Sequence, residues 1–571
     1  MPYRAPTADY KFIFDHVVNL SQVTATELFS EATPDVAEAI LAEAGKLCEE
    51  VMAPLQRAGD MQGAVLENGV VRTTPGFGAA YARIAEGGWI GMSAAPENGG
   101  MGLPLALTTA VNEMMSAACL SLQLNPLMSQ GQIEALEHHA SDEIKALYLP
   151  RLISGEWCGT MNLTEPQAGS DVGALSSRAE PNGDGSYAIT GQKIFISWGD
   201  NDFTGNVCHL VLARLPDAAP GTRGISLFMV PKYIPDAEGN PGAANSLKVV
   251  SLEHKMGLHG SPTCVMQYDG ATGWMVGEPH KGMAMMFTMM NNARLGVGVQ
   301  GIGVAEGAYQ HALAYALERR QGRTPGQGGT GTILDHADVR RMLTTMKAET
   351  FAARSIALAC AVAIDMARAT GDGDCAARAA LLTPIAKAYG TDTGVEVASM
   401  GMQVHGGMGY IEESGAAQYL RDVRVTAIYE GTNGIQAMDL VARKMMDGGE
   451  AAFRICEEIQ AAAEAARARL PDLAEDVWAA AETLREATEL LVGQDMNDRF
   501  AGAVPFLRAF ARVLGGHFHL KAALAEGGQG PRTTLARFFI KRMLPEHAAA
   551  LAHAREGAEG LYALSPEDLV A

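Results

Sequence analysis

Three β-rich segments stand between long helical stretches, and this arrangement constrains the fold more than any other feature of the chain. The segments are Tyr187–Ser197, Val207–Arg214 and Ile225–Val230, with turn-forming clusters such as Pro181–Gly185 beside them. Helical periodicity dominates up to about Leu149 and returns from Lys281. The pattern predicts an α+β protein in which a small antiparallel sheet domain separates two helical regions.

The chain is too long for a single compact core, so we expect several packed units. Changes in periodicity divide its 571 residues into four parts. The expected parts are an N-terminal helical domain (1–157), a middle antiparallel β domain (158–276), a C-terminal helical bundle (277–447) and an additional C-terminal helical appendage (448–571). The glycine-rich stretch 322–332 is predicted to be a mobile or extended loop inside the third part.

Two helices can be placed in more detail. One is predicted to begin at Pro34 and to end before Pro54, with a buried face formed by Val36, Ile40, Leu47 and Val51. The other follows Pro471–Asp472 in the appendage, and its predicted buried face comprises Leu473, Val477, Leu484, Ala487 and Leu491.

Charge and cysteine usage argue against several classes of function. The net charge of −21 gives a repulsive average field for nucleic acid. The eight cysteines show no CxxC pair or regular spacing, so we expect neither a disulfide framework nor a metal site. Residues 1–15 lack an apolar core like that of a signal peptide, and Ile356–Ile364 is too short to span a bilayer. We therefore expect a cytoplasmic protein with no membrane insertion.

The string Gly296-Val-Gly298-Val-Gln-Gly301 matches the GxGxxG pattern of dinucleotide-binding folds. That motif requires a preceding strand within a βαβ unit, whereas a methionine-rich helical stretch precedes this one. Close helix packing through small residues is the better interpretation.

Four other strings combine residue types that are unusual together. They are Met161–Asp171 (MNLTEPQAGSD), Gly191–Ser197 (GQKIFIS), Gln403–Tyr410 (QVHGGMGY) and Ile428–Gly434 (IYEGTNG). Each alone has a plain structural interpretation, such as a turn, a helix C-cap or a surface carboxylate. Together, in this order and over about Leu20 to Lys444, they closely resemble the acyl-CoA dehydrogenase family.

The resemblance implies that family's fold, with a four-helix bundle as the third domain, and FAD as cofactor. The implied reaction is α,β-dehydrogenation of an acyl-CoA thioester to the trans-2-enoyl-CoA, with Glu430 removing the α-proton and the β-hydride passing to flavin N5. A carboxylate base acts near neutral pH only if its surroundings raise its pKa. One branch of the family carries its base on the helix of Arg294, but the matching residue is Ala293, which cannot accept a proton.

The resemblance also assigns contacts residue by residue. The implied substrate contacts are Ser170, Asn291, Arg294 and Glu430, although a structural or solvated role for Arg294 is an alternative. The implied FAD contacts are Met161, Leu163, Thr164, Gly169, Ser170, Phe195, Ile196, Ser197, Arg319, Gln321, His336, Gln403, Gly406, Gly407, Gly431 and Thr432. The chain departs from the family pattern after Arg319 and at Gly434, so contacts to the adenine half of FAD are less well defined.

Partners and substrate also follow from the resemblance. In the family, Arg319, Gln403, Gly406 and Gly407 match positions that reach the neighbouring subunit's FAD, and members with an extra C-terminal domain favour a homodimer over a tetramer. The electron acceptor implied is an electron-transfer flavoprotein. The strings Tyr3–Pro6 and Glu253–Pro262 are similar to a subgroup that oxidises 3-methylthiopropanoyl-CoA in dimethylsulfoniopropionate degradation.

Several alternatives stay open at this point. The chain could oxidise ordinary medium- or long-chain acyl-CoAs, or it could be an acyl-CoA oxidase that passes electrons to oxygen. A DNA-binding flavoprotein, a role known in one branch of the family, is disfavoured by the net charge of −21. A non-catalytic scaffold is disfavoured by the presence of Glu430.

Overall fold

The computed structural model describes residues 3–323 and 329–570. Its chain forms two compact units, each made of segments that are discontinuous in sequence. The first unit comprises Met1–Gly45, Pro104–Ala117 and Arg294–Ala571, and the second comprises Lys46–Leu103 and Ala118–Ala293. The predicted glycine-rich loop lies partly outside the described residues.

Helices make up most of the described residues. In chain order they are α1 (Thr7–His16), α2 (Ser21–Thr24), α3 (Pro34–Lys46), α4 (Gln56–Met61), α5 (Phe77–Glu86), α6 (Leu105–His139), α7 (Asp142–Ile153), α8 (Gly282–Glu318), α9 (Ala337–Thr370), α10 (Gly373–His405), α11 (Ala416–Val423), α12 (Asn433–Val441), α13 (Glu450–Ala466), α14 (Pro471–Gly493), α15 (Met496–Ala525), α16 (Pro531–Arg542), α17 (Glu546–Ala554) and α18 (Pro566–Val570).

The strands are concentrated in the second unit. They are β1 (Val65–Glu67), β2 (Val70–Arg72), β3 (Trp157–Asn162), β4 (Arg178–Pro181), β5 (Tyr187–Ser197), β6 (Asn206–Arg214), β7 (Ile225–Pro231), β8 (Tyr233–Pro235), β9 (Pro241–Ala244), β10 (Leu247–Leu252) and β11 (Thr263–Val276). The three predicted β segments correspond to β5, β6 and β7 and are confirmed to within one residue at each end.

The main sheet has seven strands, in the order β10-β11-β5-β4-β6-β3, and β7 pairs with both β11 and β6. The pairings through β11, β5, β4, β6 and β7 therefore form a closed circuit. The sheet is mostly antiparallel, as expected, but β6 pairs in parallel with β3 and with β4. Side chains alternate across β11, so that Cys264, Met266 and Tyr268 point into the core of this sheet.

The buried face of α3 differs from the predicted one. The helix buries Ala37, Leu41 and Ala44, whereas Val36 is 39% exposed. The predicted stripe runs through Leu47–Met52, where the backbone changes to a π-helical turn with a longer repeat. The buried residues Ala37, Leu41, Ala44, Cys48 and Met52 nevertheless follow one helical stripe, offset by one residue from the predicted one, and the prediction is wrong at Val36.

The appendage helix is confirmed. Helix α14 begins at Pro471 itself rather than after Pro471–Asp472, and all five residues of its predicted face are buried. In the same unit Arg512 of α15 makes an ion pair with Glu349 of α9, and its other guanidinium nitrogen lies 2.9 Å from Glu546 of α17. The buried Arg512–Glu349 pair therefore ties the appendage to a long core helix of this unit.

The string 296–301 serves helix packing, which confirms the structural interpretation. A Cβ atom on Gly298 would lie 2.5 Å from the carbonyl oxygen of Ala386, and one on Gly301 would lie 2.3 Å from that of Gly390. Both clashes are with the backbone of α10, so only glycine permits α8 and α10 to approach this closely.

Two helices, α6 and α9, are long and apolar enough to cross a membrane by length and composition alone. Their most apolar windows are 94% and 83% buried within the protein. Burial of this extent is a property of core helices.

Candidate active site

Glu430 lies in a short turn of the first unit, between the 3-10 turn Arg424–Ala427 and the start of α12. Its backbone is left-handed, with φ of 56°, and Gly431 follows with φ of 81°. For a residue with a side chain, such a conformation costs about 1–3 kcal/mol and is found where surrounding contacts enforce it. Thr432 then caps α12, since its hydroxyl accepts a hydrogen bond from the Ile435 N–H at 3.3 Å.

The environment of Glu430 raises the pKa of its carboxyl group. Its side chain is half-buried. Desolvation by burial raises the pKa of Glu430 to about 7, although the positive charges of Arg294 and Lys387 act to lower it. A carboxyl group with a pKa near the working pH combines a substantial ionised fraction with the basicity that proton abstraction needs.

Lys387, Asn433 and Gln436 form hydrogen bonds that stabilise the turn, and these contacts were not predicted from the sequence. Lys387 of α10 is fully buried, and its ammonium group donates to the carbonyl oxygen of Gly431 at 2.8 Å and to Asn433 Oδ1 at 2.9 Å. Gln436 Nε2 donates to the carbonyl oxygen of Glu430 at 3.2 Å. Asn433 lies in the string Ile428–Gly434, which carries the family resemblance, but the resemblance implies no role for it. Lys387 stands alone in an apolar run of α10, and a lysine in such a run is a signal that could have been noticed.

Arg294, one of the predicted substrate contacts, is buried in the first unit. Its Nη1 lies 3.5 Å from Asp439 Oδ2, and Arg443 also pairs with Asp439, at 2.6 Å. Burial and this ion pair exclude the solvated alternative for Arg294 and are compatible with a structural role. Asn291, three residues earlier on α8, is exposed and belongs to the second unit.

The residues predicted to contact the flavin ring occupy two adjacent segments of the second unit. Met161 is the penultimate residue of β3, and Leu163 and Thr164 follow that strand. Lys193 Nζ donates to the carbonyl oxygen of Leu163 at 2.9 Å, and the Ile194 N–H donates to that of Thr164 at 2.9 Å. The segment after β3 is therefore fixed against β5.

The end of β5 carries an unusual conformation. Phe195 has φ of 60° and a side chain that is 59% exposed, and Trp198 has φ of 54°. Ile196 is buried in the sheet core, while Ser197 is half-buried. In the same unit Gly169 and Ser170 are exposed, and open space surrounds the Cβ position of Gly169. An exposed aromatic ring on a conformationally constrained strand end is a suitable surface for a planar ring system.

The remaining predicted cofactor contacts lie in loops and at a helix end of the first unit. Arg319 and Gln321 are exposed after the end of α8, and His336, which precedes α9, forms a 2.8 Å hydrogen bond with the carbonyl oxygen of Gln321. Gln403 is exposed on the last turn of α10. Gly406 and Gly407 follow, with open space where a Cβ would stand. Backbone without side-chain cover of this kind allows close approach of a phosphate or a ring.

Residues 3–323 and 329–570 contain no candidate metal site and no disulfide. No group of three histidine, cysteine, aspartate or glutamate side chains in these ranges could hold a metal ion. All eight cysteines fall within them and are free thiols.

Family comparisons cover nearly the whole chain. The acyl-CoA dehydrogenase N-terminal, middle and C-terminal domains match residues 34–156, 160–271 and 280–446. A fourth match, an acetyl-CoA dehydrogenase C-terminal-like domain, covers residues 455–565. The fold and the site thus define a flavin-dependent dehydrogenase of acyl thioesters with an additional helical domain.

Individual relatives agree with this class. The 3-methylmercaptopropionyl-CoA dehydrogenase of Ruegeria pomeroyi is 44% identical, and the alignment covers 96% of this chain and 97% of the relative. The broad-specificity linear acyl-CoA dehydrogenase FadE5 of Mycobacterium tuberculosis is 33% identical, with 95% of this chain and 96% of the relative covered. Among solved structures, an acyl-CoA dehydrogenase of Bacillus anthracis complexed with FAD shares the fold, with a TM-score of 0.75, 20% identity and coverage of 92% and 88%.

The chain belongs to the acyl-CoA dehydrogenase family. It is an FAD-dependent oxidoreductase that acts on acyl-CoA thioesters.

Proposed function

We propose that Glu430 is the general base that removes the α-proton of the acyl-CoA thioester. The observation that carries this proposal is the combination of a left-handed backbone with a carboxyl group whose pKa is raised, chiefly by burial, to about 7. The raised pKa gives the carboxylate the basicity that the weakly acidic α-proton demands. When bound, FAD supplies the acceptor for the hydride that leaves the β-carbon.

The backbone of the same turn offers a second contribution. Within residues 3–323 and 329–570, the backbone N–H of Glu430 donates to no acceptor. A free N–H beside the base suits the thioester carbonyl oxygen, on which negative charge develops as the proton leaves. The left-handed turn would thus place base and oxyanion donor on the same residue.

We assign the flavin ring to Met161, Leu163, Thr164 and the Phe195–Ser197 strand end. The support is the exposed Phe195 ring and the fixed segment after β3. The proposed set of FAD contacts is completed by residues from the loop after β3 and from the first unit. They are Gly169, Ser170, Arg319, Gln321, His336, Gln403, Gly406, Gly407, Gly431 and Thr432. Ser170, Asn291 and Arg294 are the proposed contacts to the CoA arm.

The proposed substrate is 3-methylthiopropanoyl-CoA, which would yield 3-(methylthio)acryloyl-CoA in dimethylsulfoniopropionate degradation. The support is the full-length similarity to the Ruegeria pomeroyi enzyme. Linear acyl-CoAs are the second candidate, because a relative of comparable coverage carries the name of a broad-specificity enzyme. The enzyme is proposed to act in the cytoplasm as a homodimer and to pass electrons to an electron-transfer flavoprotein.

Substitution of the base tests the reaction assignment. Glu430→Gln should keep bound FAD and ligand affinity but lower the rate of substrate-dependent flavin bleaching by about 10²–10⁴-fold, because an amide cannot accept the proton. Glu464→Gln, in an exposed ion pair with Arg467 on α13, is the matched control and should leave the rate unchanged. Near-normal bleaching by the Glu430 variant would transfer the role of base to another residue.

A substrate panel tests the finer assignment. The second-order rate of anaerobic flavin bleaching should be higher with 3-methylthiopropanoyl-CoA than with butyryl-, hexanoyl- or decanoyl-CoA. Equal or faster bleaching with the straight-chain thioesters would assign the enzyme to linear substrates. Reoxidation of the bleached flavin in air separates dehydrogenase from oxidase, since an oxidase regains its colour within the turnover time.

A further inference from the structure

Lys387 is a buried cation next to the proposed base and has no assigned role. Its side chain is among the largest that are fully buried in the described residues, although lysine is among the residues least often buried. Its two hydrogen-bond acceptors, the Gly431 carbonyl oxygen and Asn433 Oδ1, are neutral and both belong to the segment that follows Glu430. Burying an ammonium group without a carboxylate partner is costly, so the site calls for an explanation.

We propose that Lys387 is a positioning residue for Glu430, whose ammonium group fixes the Glu430–Gly431 turn from the interior and keeps the carboxylate available as a base. The proposal rests on the proposed function of Glu430.

The hydrogen bonds support the mechanical part of this role. Glu430 and Gly431 both have left-handed backbones, and for Glu430, which carries a Cβ, surrounding contacts must enforce this conformation. The carbonyl oxygen of Gly431 accepts from Lys387 at 2.8 Å and from Gln436 Nε2 at 3.4 Å. Lys387 therefore provides the shorter of the two contacts at the second residue of the turn.

Asn433 adds further contacts between the turn and α10. Its Oδ1 accepts from Lys387, and its Nδ2 donates to Asp392 Oδ1 at 2.7 Å and to Thr391 Oγ1 at 3.0 Å. Asn433 is the first residue of α12, whereas its partners lie on α10. The start of α12, and with it the turn, is thereby attached to α10.

The charges around Glu430 support the electrostatic part. Arg294 approaches from α8 and Lys387 from α10, and Tyr429 adjoins Glu430 in its own turn. Arg294 is paired with Asp439, a carboxylate that it shares with Arg443. Asp392 interacts with Lys387 through space and raises its pKa, but hydrogen-bonds Asn433 rather than the ammonium group. The charge of Arg294 has the larger effect on the pKa of Glu430 and that of Lys387 the smaller, and both act to lower it. Of the two cations, only Lys387 is also hydrogen-bonded to the backbone of the Glu430–Gly431 turn.

The ammonium group is charged under working conditions. Desolvation by burial lowers the pKa of Lys387 to about 8, while Glu430 and Asp392 act to raise it. Because Glu430 is ionised only with difficulty in its desolvated position, loss of this positive charge should raise the pKa of the base further.

Two substitutions separate the charge from the hydrogen bond. Lys387→Gln keeps a donor for the Gly431 carbonyl oxygen, whereas Lys387→Met removes donor and charge together. In both variants the acid limb of the pH profile for anaerobic flavin bleaching should move to higher pH by about one unit. Only the Met variant should also show faster amide hydrogen exchange in residues 428–433. Lys521→Met, at a half-buried lysine of α15, is the control and should change neither measurement.

Each outcome decides the proposal. An unmoved acid limb in both Lys387 variants, with FAD bound, overturns it, and so does failure of both variants to fold, since Lys387 would then serve the fold rather than the base. Glu430→Gln distinguishes this failure from that of the proposed function. An active Glu430→Gln variant would overturn the base assignment itself. An inactive one together with an unmoved acid limb would overturn the role of Lys387 alone.

Discussion

Lys193 and Glu165 form a fully buried ion pair, with 2.8 Å between Lys193 Nζ and Glu165 Oε1. The same ammonium group donates to the carbonyl oxygen of Leu163, and Glu165 accepts four further hydrogen bonds from Ser176 and Ser177. This network joins β5 to the segment after β3, so the proposed flavin-ring contacts depend on it.

Removing the cation should strongly destabilise the second unit. Lys193→Met leaves a carboxylate buried without its charge partner, at a cost of about 3–5 kcal/mol in the free energy of unfolding. The control is Lys248→Met, because Lys248 and Asp269 form an exposed ion pair on the same sheet, worth about 0–1 kcal/mol. Denaturant unfolding measures the free energy of unfolding of both variants. An equal decrease in the two variants would contradict the structural role of the buried pair.

Acid should weaken the same unit through Glu165. Burial alone raises its pKa, but Lys193 and the serine donors more than compensate and lower the pKa from 4.5 to about 2. A lowered folded-state pKa gives stability that is present above the unfolded value and is lost as pH falls from about 4.5 toward 2. Unfolding measured across this range should show a smaller slope for Glu165→Gln than for the unchanged protein. Parallel slopes would exclude Glu165 as the source.

Glu430→Gln should raise thermal stability while abolishing activity. Burial raises the folded-state pKa of Glu430 from 4.5 to about 7. A raised pKa means that the contribution of Glu430 to stability is greatest below pH 4.5 and is lost as pH rises toward 7. The melting temperature of the variant should therefore exceed that of the unchanged protein more at about pH 8 than at about pH 5. A difference independent of pH would indicate that desolvation of the carboxylate is not its cause.

Gly301→Ala should separate α8 from α10. The added methyl group would lie 2.3 Å from the Gly390 carbonyl oxygen, and backbone cannot move aside as a flexible side chain can. We expect a loss of about 1–3 kcal/mol from overpacking. Gly373→Ala, at the start of α10 with open space around its Cβ position, is the control and should be neutral or slightly stabilising. Thermal unfolding of the two variants makes the comparison.

Local sequence patterns determined the elements of this protein. Alternating apolar residues and turn clusters located β5, β6 and β7 to within one residue, and Pro471 marked the start of α14. Four strings in the right order identified the family and pointed to Glu430. Residue types and their spacing can be read directly from the sequence, without the three-dimensional structure.

Tertiary structure decided what those patterns leave open. The buried face of α3 is the side with Ala37, Leu41 and Ala44, because burial is set by which side the rest of the fold covers. The parallel pairings of β6 likewise depend on strands distant in sequence. The left-handed backbone of Glu430 is a property of the folded turn. Its raised pKa comes from burial, against which Arg294 of α8 and Lys387 of α10 act. Lysine side chains are rarely fully buried, so residue type alone gives no reason to assign Lys193 and Lys387 a structural role. Their burial and their hydrogen bonds in the folded protein show that they stabilise the segments they contact.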